Sequence, residues 1–341
     1  MFIGDFWDWR NVACSFHILH LRLTPLQTIV GTDINRVKQL LESGELAAIP
    51  TETVYGLAAN ALDARAVANI FEVKNRPHFD PLIIHARSVE AINHYVRDLP
   101  EWARKLASKF MPGPLTLVLK KKDIIPDIVT AGLDTVGIRI PDHPMMLELL
   151  GKLDFPLAAP SANPFGYVSP TNARHVYDQL NQKIPYILDG GVCSIGIEST
   201  IIGEVEGKSV ILRLGGTAPE DIWRVIGKCE IATHSTSNPI NPGSLEHHYA
   251  PRHRLKFASM NFSEFDPKEI GIISFKTAYP EIPQDHQHVL SPAGDLREAA
   301  QKIFSAMRAL DGMDISIIFA ERFPDVGLGL AINDRLRRAS T

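Results

Sequence analysis

The sequence is poor in cysteine, and its three cysteines stand far apart. Cys14, Cys193 and Cys229 form no Cys-x-x-Cys pair. The sequence therefore predicts neither a disulfide framework nor a thiolate zinc site. This usage is typical of a reducing compartment, and we expect a cytoplasmic protein.

Long hydrophobic runs are also missing. No apolar stretch approaches the roughly 20 residues that a membrane-spanning helix needs, so we expect no membrane partner. Residues 1–25 are rich in aromatics but carry Asp5, Asp8 and Arg10, where a signal peptide would have a basic start followed by an apolar run. We interpret residues 1–25 as an N-terminal extension and assign them no function.

The chain has no excess of positive charge. It contains 35 Lys and Arg against 39 Asp and Glu, for a net charge of -4. This balance argues against a generally basic nucleic-acid binder but leaves room for a local basic pocket. The length of 341 residues favours two domains.

The standard nucleotide and catalytic motifs are not present in intact form. GEVEGKS (203–209) has Ile202 where a P-loop needs glycine, and its position between two strand-like runs predicts a hairpin tip. GLGLAI (327–332) lacks the third glycine of a dinucleotide fingerprint and follows no clear strand-to-helix turn. Because the sequence also has no HExxH and no Ser-His-Asp signature, we expect a site that binds and orients its substrates.

The pattern of elements changes along the chain. Strand-like and helical segments alternate over residues 26–230, which predicts one α/β domain. Residues 231–254 are rich in Ser, Thr, Asn, Pro and His and are predicted to be a linker. Strand, helix and strand patterns then predict a small βαβ-type domain over residues 255–341.

Two cations cluster where a predicted helix must end, in FEVKNRPHFDPLIIH (71–85). Pro77 pushes Arg76 out of helical geometry, so Lys74 falls in the last helical turn. Cations at a helix C-terminus stabilise it by about 0.3–1 kcal/mol each. The same pair could instead bind a polyanion, and this segment alone leaves both interpretations open.

Other segments collect small residues, hydroxyls and arginines. AAPSANPFGYVSPT (158–171) offers Ser161 and Asn163 beside alanines that admit a close ligand, although a plain turn cluster has the same composition. Arg139 and Arg213 sit inside predicted strands and point away from the apolar face. They lie either on a solvated sheet face or on the floor of an anion site.

Eight of these segments, in this order, resemble the YrdC-like domain of the threonylcarbamoyl-AMP synthases. They are PTETVYGLAANA, FEVKNRPHFDPLIIH, MPGPLTLVL, VGIRIPDHP, AAPSANPFGYVSPT, DGG, ESTII and ILRLGG. PGSLEHHYAP (242–251) and GLGLAINDRLRRA (327–339) resemble the linker and tail of the family's two-domain branch. The resemblance covers about residue 26 to the end of the chain.

The resemblance implies a fold and a reaction. The fold is a twisted mixed open sheet with flanking helices, followed by a small Rossmann-like α/β domain. The reaction, a nucleotidyl transfer, makes L-threonylcarbamoyladenylate from L-threonine, bicarbonate or CO2, and ATP with Mg²⁺, and it releases pyrophosphate. The product serves threonylcarbamoyladenosine formation in tRNA through downstream transferase machinery, so contact with tRNA is expected to be indirect.

The resemblance also assigns residues, with Lys74 and Arg76 as the catalytic pair. The ATP site would comprise Lys74, Arg76, Asp80, Thr135, Ser161, Asn163, Ser169, Arg213 and Tyr249. The threonine site would comprise Thr53, His85, Arg139, Ala159 and Ser199. Asp80 departs from the asparagine expected in many relatives, and an acid beside phosphates is unfavourable unless it faces Mg²⁺ or ribose.

Two other functions are compatible with parts of this pattern. A non-catalytic RNA-binding module would use the same cations to contact a phosphate backbone with salt-sensitive affinity. A carbamoyl-transfer maturation enzyme that carries a YrdC-like domain would be much longer and would contain cysteine-rich zinc elements, which three scattered cysteines disfavour.

Overall fold

The computed structural model describes residues 27–232 and 249–340. Most of the predicted linker and the whole predicted N-terminal extension lie outside these residues. The described chain forms an eleven-stranded sheet and a four-stranded sheet. Strands of the larger sheet run from Ile29 to Ile231, and strands of the smaller run from Arg254 to Ala320. The domain boundaries drawn from the sequence stay predictions.

The larger sheet is mixed, with parallel and antiparallel neighbours in the order β1-β8-β2-β3-β7-β4-β6-β5-β9-β10-β11. Its strands are β1 (Ile29–Gly31), β2 (Ala47–Ile49), β3 (Gly56–Asn60), β4 (Ile83–His85), β5 (Leu115–Lys120), β6 (Thr135–Arg139), β7 (Leu157–Ala158), β8 (Tyr186–Leu188), β9 (Thr200–Val205), β10 (Lys208–Arg213) and β11 (Glu230–Ile231). The predicted hairpin tip at 203–209 is confirmed, because β9 and β10 pair antiparallel around a turn in which Glu206 and Gly207 have positive φ.

Helices cover this sheet, and half of them begin at a capping side chain. They are α1 (Ile34–Glu42), α2 (Ala64–Lys74), α3 (Val89–Tyr95), α4 (Glu101–Phe110), α5 (Asp127–Thr130), α6 (Pro144–Gly151), α7 (Ala173–Leu180) and α8 (Pro219–Ile226). Asp33 and Asp63 accept hydrogen bonds from the first backbone N–H groups of α1 and α2, which satisfies donors that have no intrahelical partner.

The smaller sheet is wholly parallel, in the order β12-β15-β13-β14. Its strands are β12 (Arg254–Phe257), β13 (Ile270–Ser274), β14 (Gln287–Val289) and β15 (Ile317–Ala320), and its α-helices are α9 (Leu296–Asp311) and α10 (Leu328–Ala339). A parallel sheet with crossover helices is the expected Rossmann-like arrangement.

GLGLAI does lie between a strand and a helix, which corrects the sequence interpretation of that segment. Gly327 precedes the first residue of α10, which follows β15. Gly329 allows close packing of the chain on itself. A Cβ atom at Gly329 would come within 2.0 Å of the Pro324 carbonyl oxygen, so only glycine allows this approach.

The core of the C-terminal unit continues into the larger unit. Val54, Val168 and Ile197 belong to the same buried cluster as Phe304 and Leu336. The first three come from loops around the centre of the larger sheet, and the last two come from α9 and α10. Burying these side chains together presses α9 and α10 against those loops.

Candidate active site

A cleft opens between the loops of the larger sheet and the C-terminal unit, and we call it the central cleft. Its walls are formed by Thr51, Thr53, Val54, Gly56, Arg76, Ile83, His85, Arg139, Ala159, Pro160, Ser161, Glu198, Ser199, Arg213 and Tyr249. Hydroxyls, small residues and three arginines dominate this set. Such a lining suits a polar ligand that carries negative charge.

The structure brings most of the predicted site residues together. Those predicted for threonine all line the central cleft: Thr53, His85, Arg139, Ala159 and Ser199. Those predicted for ATP that line it are Arg76, Ser161, Arg213 and Tyr249. The remaining residues predicted for ATP do not line it: Lys74, Asp80, Thr135, Asn163 and Ser169. The ligand assignments themselves stay predictions.

Lys74 is the last residue of α2, and its side chain is buried. Asn75 adopts the left-handed conformation, with φ 51 and ψ 41, and terminates the helix. The Lys74 Nζ donates to the backbone carbonyls of Ser161 and Asn163, each at 2.5 Å. Burial, followed by the nearby charge of Arg76, lowers the pKa of Lys74 well below its ordinary value. Lys74 therefore ties the helix end to the 158–171 loop at the edge of the cleft.

Arg76 is held by its own loop. Its Nε and one terminal nitrogen donate to the carbonyls of Asp80 and Pro81, at 3.2 and 2.9 Å. The same terminal nitrogen lies 2.9 Å from a carboxylate oxygen of Asp80, and both side chains are buried. Asp80 thus orients Arg76 but does not itself line the cleft. The unfavourable contact between an acid and phosphate that the sequence raised is therefore not required here.

The other three predicted ATP residues have structural partners in the described chain. Asn163 donates through its side-chain amide to the carbonyls of Pro164 and Tyr167 and so shapes the 158–171 loop. Ser169 donates to Glu198 at 2.6 Å. Thr135 begins β6 and pairs with Lys120 of β5. These contacts place the three residues around the cleft instead of on its surface.

Arg139 and Glu52 form a buried ion pair beside the central cleft. A terminal nitrogen of Arg139 lies 2.6 Å from a carboxylate oxygen of Glu52, and each side chain is only 4% exposed. The other terminal nitrogen donates to the Thr53 hydroxyl at 3.0 Å. The pair fixes the guanidinium in one orientation, which prepares it for a planar carboxylate. Sequence reasoning noticed the acid of PTETVYGL but gave it no role.

His85 is buried on β4 beside Arg139, and these two facts set its charge. Burial, followed by the charge of Arg139, lowers the pKa of His85 to about 3. Its Nδ1 lies 3.3 Å from the Leu157 carbonyl oxygen. The imidazole is therefore neutral at physiological pH and presents a polar, uncharged group to the cleft.

The depressed pKa of His85 predicts a pH dependence of stability. An unfolded histidine takes up a proton below about pH 6.5, whereas folded His85 does so only near pH 3. The stability that its neutral form contributes is complete above pH 6.5 and is lost as the pH falls toward 3. Relative to His85→Gln, the wild type should lose about 1.4 kcal/mol of unfolding free energy per pH unit below 6.5. Urea titrations of both proteins at pH 7, 6 and 5 measure this, and parallel pH curves would contradict it.

Arg213 closes the opposite side of the cleft from the end of β10. Its Nε and a terminal nitrogen donate to the Ser199 carbonyl at 3.2 and 2.8 Å, and the terminal nitrogen also reaches the Ser199 hydroxyl at 3.2 Å. Burial lowers the pKa of Arg213 to about 10, so it stays cationic at neutral pH. Arg139 and Arg213 thus lie on the walls of one cleft, as the anion-floor interpretation requires.

Tyr249 lies within the predicted linker and lines the cleft. It is buried and has φ 69, and the next backbone N–H, of Ala250, donates to the Gly166 carbonyl at 2.9 Å. Its ring stacks on Phe304 with centroids 5.5 Å apart. The guanidinium groups of Arg335 and Arg338 lie 5.0 and 5.1 Å from the ring centroid.

Glu198 and Arg335 are site residues that sequence reasoning missed. Glu198 lines the cleft, and Arg335 of α10 donates to it through Nε at 2.8 Å. A signal for Arg335 was present, because helical spacing puts it on the same face as the buried Leu328, Ala331 and Ile332. An arginine on a predicted apolar face is an indication of a buried ion pair.

The cations of the cleft do not form a surface for RNA. Arg76, Arg139 and Arg213 are all buried and converge on one enclosed site, whereas a phosphate backbone needs an open basic track. In the described part of the chain no helix is long and apolar enough to cross a membrane. The geometry therefore favours a small anionic ligand over a nucleic-acid strand.

Family comparisons agree with this site. A family model described as Telomere recombination, which bears the names Sua5, YciO and YrdC, matches residues 39–215. A second model, Threonylcarbamoyl-AMP synthase, C-terminal domain, matches residues 217–341. Together they match every strand of both sheets except β1.

Similar proteins extend over nearly the whole chain. Threonylcarbamoyl-AMP synthase of Pyrococcus abyssi is 41% identical over 318 residues, which cover 88% of this chain and 92% of that protein. Threonylcarbamoyl-AMP synthase of Bacillus subtilis is 38% identical over 320 residues, covering 90% and 92%. The crystal structure of P. abyssi Sua5 complexed with L-threonine matches with a TM-score of 0.85 at 38% identity, covering 92% of this chain and 97% of that one.

These matches confirm the predicted fold class and the resemblance seen in the sequence motifs. Two family models match one after the other, and the relatives are similar along both units. Similarity of this extent indicates membership of one family and not only a common sheet topology. The chain belongs to the threonylcarbamoyl-AMP synthase family.

Proposed function

We propose that this chain synthesises L-threonylcarbamoyladenylate from L-threonine, bicarbonate or CO2, and ATP, as a nucleotidyltransferase that releases pyrophosphate. The observation that carries this proposal is the central cleft, in which Arg76, Arg139 and Arg213 converge among hydroxyls. Two anionic substrates side by side require cations at both ends of one site. The family membership supplies the identity of those substrates.

The nucleotide occupies the end of the cleft near Arg76, Ser161 and Arg213. Arginines bind phosphate oxygens with two parallel hydrogen bonds, and Lys74 lies directly beneath Ser161. Binding of a triphosphate beside Lys74 favours its protonated form, which offsets the lowering of its pKa by burial. Tyr249 covers the nucleotide from the C-terminal side.

L-Threonine occupies the other end, with its carboxylate on Arg139. The guanidinium is already oriented by Glu52 and Thr53, so little side-chain freedom is lost when the substrate binds. Neutral His85, Ala159 and Ser199 complete this end. Their small size and polarity suit a side chain that carries one hydroxyl and one methyl group.

The chemistry needs orientation and charge stabilisation more than a protein nucleophile. The threonine amine attacks the carbon of CO2, the electrons of one C=O bond move to oxygen, and the amine loses a proton to give a carbamate. From bicarbonate the same carbamate forms when the C–N bond replaces a C–O bond and water leaves. A carbamate oxygen then attacks the α-phosphorus of ATP, and the bond to pyrophosphate breaks. Holding the partners in place can supply about 7–11 kcal/mol in favourable cases, and preorganised cations stabilise the charge that develops at phosphorus. A buried cleft also shields the labile carbamate from water.

Mg²⁺ enters this scheme with ATP and not as a resident ion. Within residues 27–232 and 249–340, no three His, Cys, Asp or Glu side chains are grouped as metal ligands. The acids beside the nucleotide end, Asp80 and Glu198, are engaged by Arg76 and Arg335. Phosphate oxygens are the usual ligands of Mg²⁺ in such sites, so we propose that the metal is held by the triphosphate.

The product is an activated, hydrolysable adenylate, and an acyl-transfer reaction must consume it. We propose that downstream threonylcarbamoyl-transferase machinery carries the group to tRNA in the cytoplasm, and that this chain does not itself need to contact tRNA. The buried position of its cations supports an indirect route.

The proposed function is tested by one assay. Purified protein is mixed with L-threonine, bicarbonate and Mg-ATP, and pyrophosphate is measured with and without the amino acid. We expect release that depends on threonine and falls when L-serine replaces it, because the pocket then loses a methyl contact worth about 10–200-fold in discrimination. Pyrophosphate release that does not depend on the amino acid would refute the proposal.

A further inference from the structure

Arg335 is the largest fully buried side chain of the described residues, and it spans from the C-terminal unit to the central cleft. Its three guanidinium nitrogens each donate at 2.8 Å: Nε to Glu198, one terminal nitrogen to the Leu214 carbonyl, and the other to Asp334. Leu214 directly follows Arg213. One residue of α10 is therefore bonded both to a wall of the cleft and to the strand end that carries a cleft arginine.

Glu198 is the acid that this contact controls. It lines the central cleft, and its second carboxylate oxygen accepts from Ser169 at 2.6 Å. The charged groups acting on it are Arg335 of α10 and Arg213 of β10. Burial alone would raise the pKa of Glu198, but the two arginines outweigh burial and the net pKa is lowered. Glu198 is thus a permanent negative charge beside the proposed triphosphate site.

The buried ion pair of Arg335 and Glu198 is not explained by stability alone. Replacing such a pair with apolar side chains of similar volume is often neutral or stabilising, whereas removing only one partner leaves a costly buried charge. An uncompensated carboxylate on the cleft wall would also repel the phosphates of ATP. The cation–π contact with Tyr249 is shared by Arg335 and Arg338, whereas the hydrogen bond from α10 to Glu198 is made by Arg335.

We propose that Arg335 is a positioning residue of the nucleotide site, which neutralises Glu198 so that the cleft accepts a triphosphate. The C-terminal unit then contributes to ATP binding itself, in addition to covering the site. This inference rests on the proposed nucleotide site, and it assigns α10 a part in it.

The test is a charge-balance cycle read by calorimetric titration with Mg-ATP. Arg335→Met should weaken ATP binding by about 10-fold or more, because the carboxylate of Glu198 is then uncompensated and repels the phosphates. Adding Glu198→Gln removes the stranded charge, so the double variant should bind ATP within about threefold of the wild type. Threonine affinity should stay unchanged in both. Arg337→Met is the matched control, because Arg337 is half exposed on the same helix and its side chain bonds Asp334.

A purely structural role gives a different result. It predicts that the double variant binds ATP as poorly as Arg335→Met, or worse, and this outcome would overturn the proposal. If Arg335→Met does not fold in a thermal unfolding control, the double variant still decides, since only charge compensation predicts near-normal ATP binding without either side chain. A wild type that binds ATP but releases no threonine-dependent pyrophosphate would refute the proposed function while the charge-balance cycle remained readable.

Discussion

Arg76→Ala and Lys74→Ala are each expected to lower threonine-dependent pyrophosphate release by about 1000-fold, while the protein stays folded. Loss of a single preorganised donor to developing charge typically costs about 100- to 1000-fold in rate. Lys74 bonds two carbonyls of the 158–171 loop, and the Arg76 guanidinium lies 5.9 Å from the ring centroid of Phe165 in the same loop. The measurement is the initial rate at saturating threonine and ATP, with circular dichroism to check folding. Near wild-type rates in both variants would contradict the assignment of the catalytic pair.

A matched control separates catalysis from helix stabilisation. Lys109 also lies in the last turn of a helix, α4, and is exposed. If a lysine at a helix end only stabilises the helix, Lys109→Ala and Lys74→Ala should behave alike, each costing about 0.3–1 kcal/mol of stability. We expect Lys109→Ala to keep full activity.

Stability needs its own control at Arg76. Asp80 is fully buried and pairs with Arg76, so the alanine variant leaves a buried carboxylate without this partner. Arg76→Ala/Asp80→Asn removes both charges and should recover much of any lost stability. It should remain inactive, because the guanidinium proposed to bind phosphate is still missing.

Arg139→Met is expected to raise the KM for threonine by about 10- to 100-fold and to leave the KM for ATP unchanged. A hydrogen bond to a charged group contributes about 1.5–3 kcal/mol, and the variant removes the cation proposed to bind the substrate carboxylate. The measurement is the steady-state rate with one substrate varied at a time. Equal increases in both KM values would contradict separate ends of the cleft.

The partner of Arg139 complicates the single variant, and a second change resolves it. Arg139→Met leaves Glu52 buried beside the cleft, and breaking a buried ion pair costs about 3–5 kcal/mol of stability. Glu52→Gln/Arg139→Met should be more stable than Arg139→Met in urea titrations. If the threonine KM nevertheless stays high in the double variant, the defect belongs to binding and not to folding.

The sequence was sufficient to predict the cation cluster of Lys74 and Arg76, because the residues that define it are neighbours along the chain. Pro77 fixes the end of α2, and this alone places Lys74 in the last turn and Arg76 beyond it. Asn75 in the left-handed conformation is the expected geometry at such an end. What the segment could not reveal is that Lys74 bonds carbonyls 87 and 89 residues away, because that depends on tertiary packing.

The strand arginines show another limit. Alternation along β6 and β10 predicts that Arg139 and Arg213 leave the apolar face, but it does not say whether the other face meets solvent or a covered cleft. The Arg335–Glu198 contact joins residues 137 positions apart, and neither helical spacing nor strand alternation predicts the partner of a buried charge. The helix α10 itself was missed because its glycine-rich start was weighed as a nucleotide motif.

The most direct test is a crystal structure of the protein with a non-hydrolysable ATP analogue and L-threonine. We predict the triphosphate against Arg76, Ser161 and Arg213, and the threonine carboxylate on Arg139, in one continuous cleft. A nucleotide bound outside the central cleft, with Arg139 facing no carboxylate, would contradict the account.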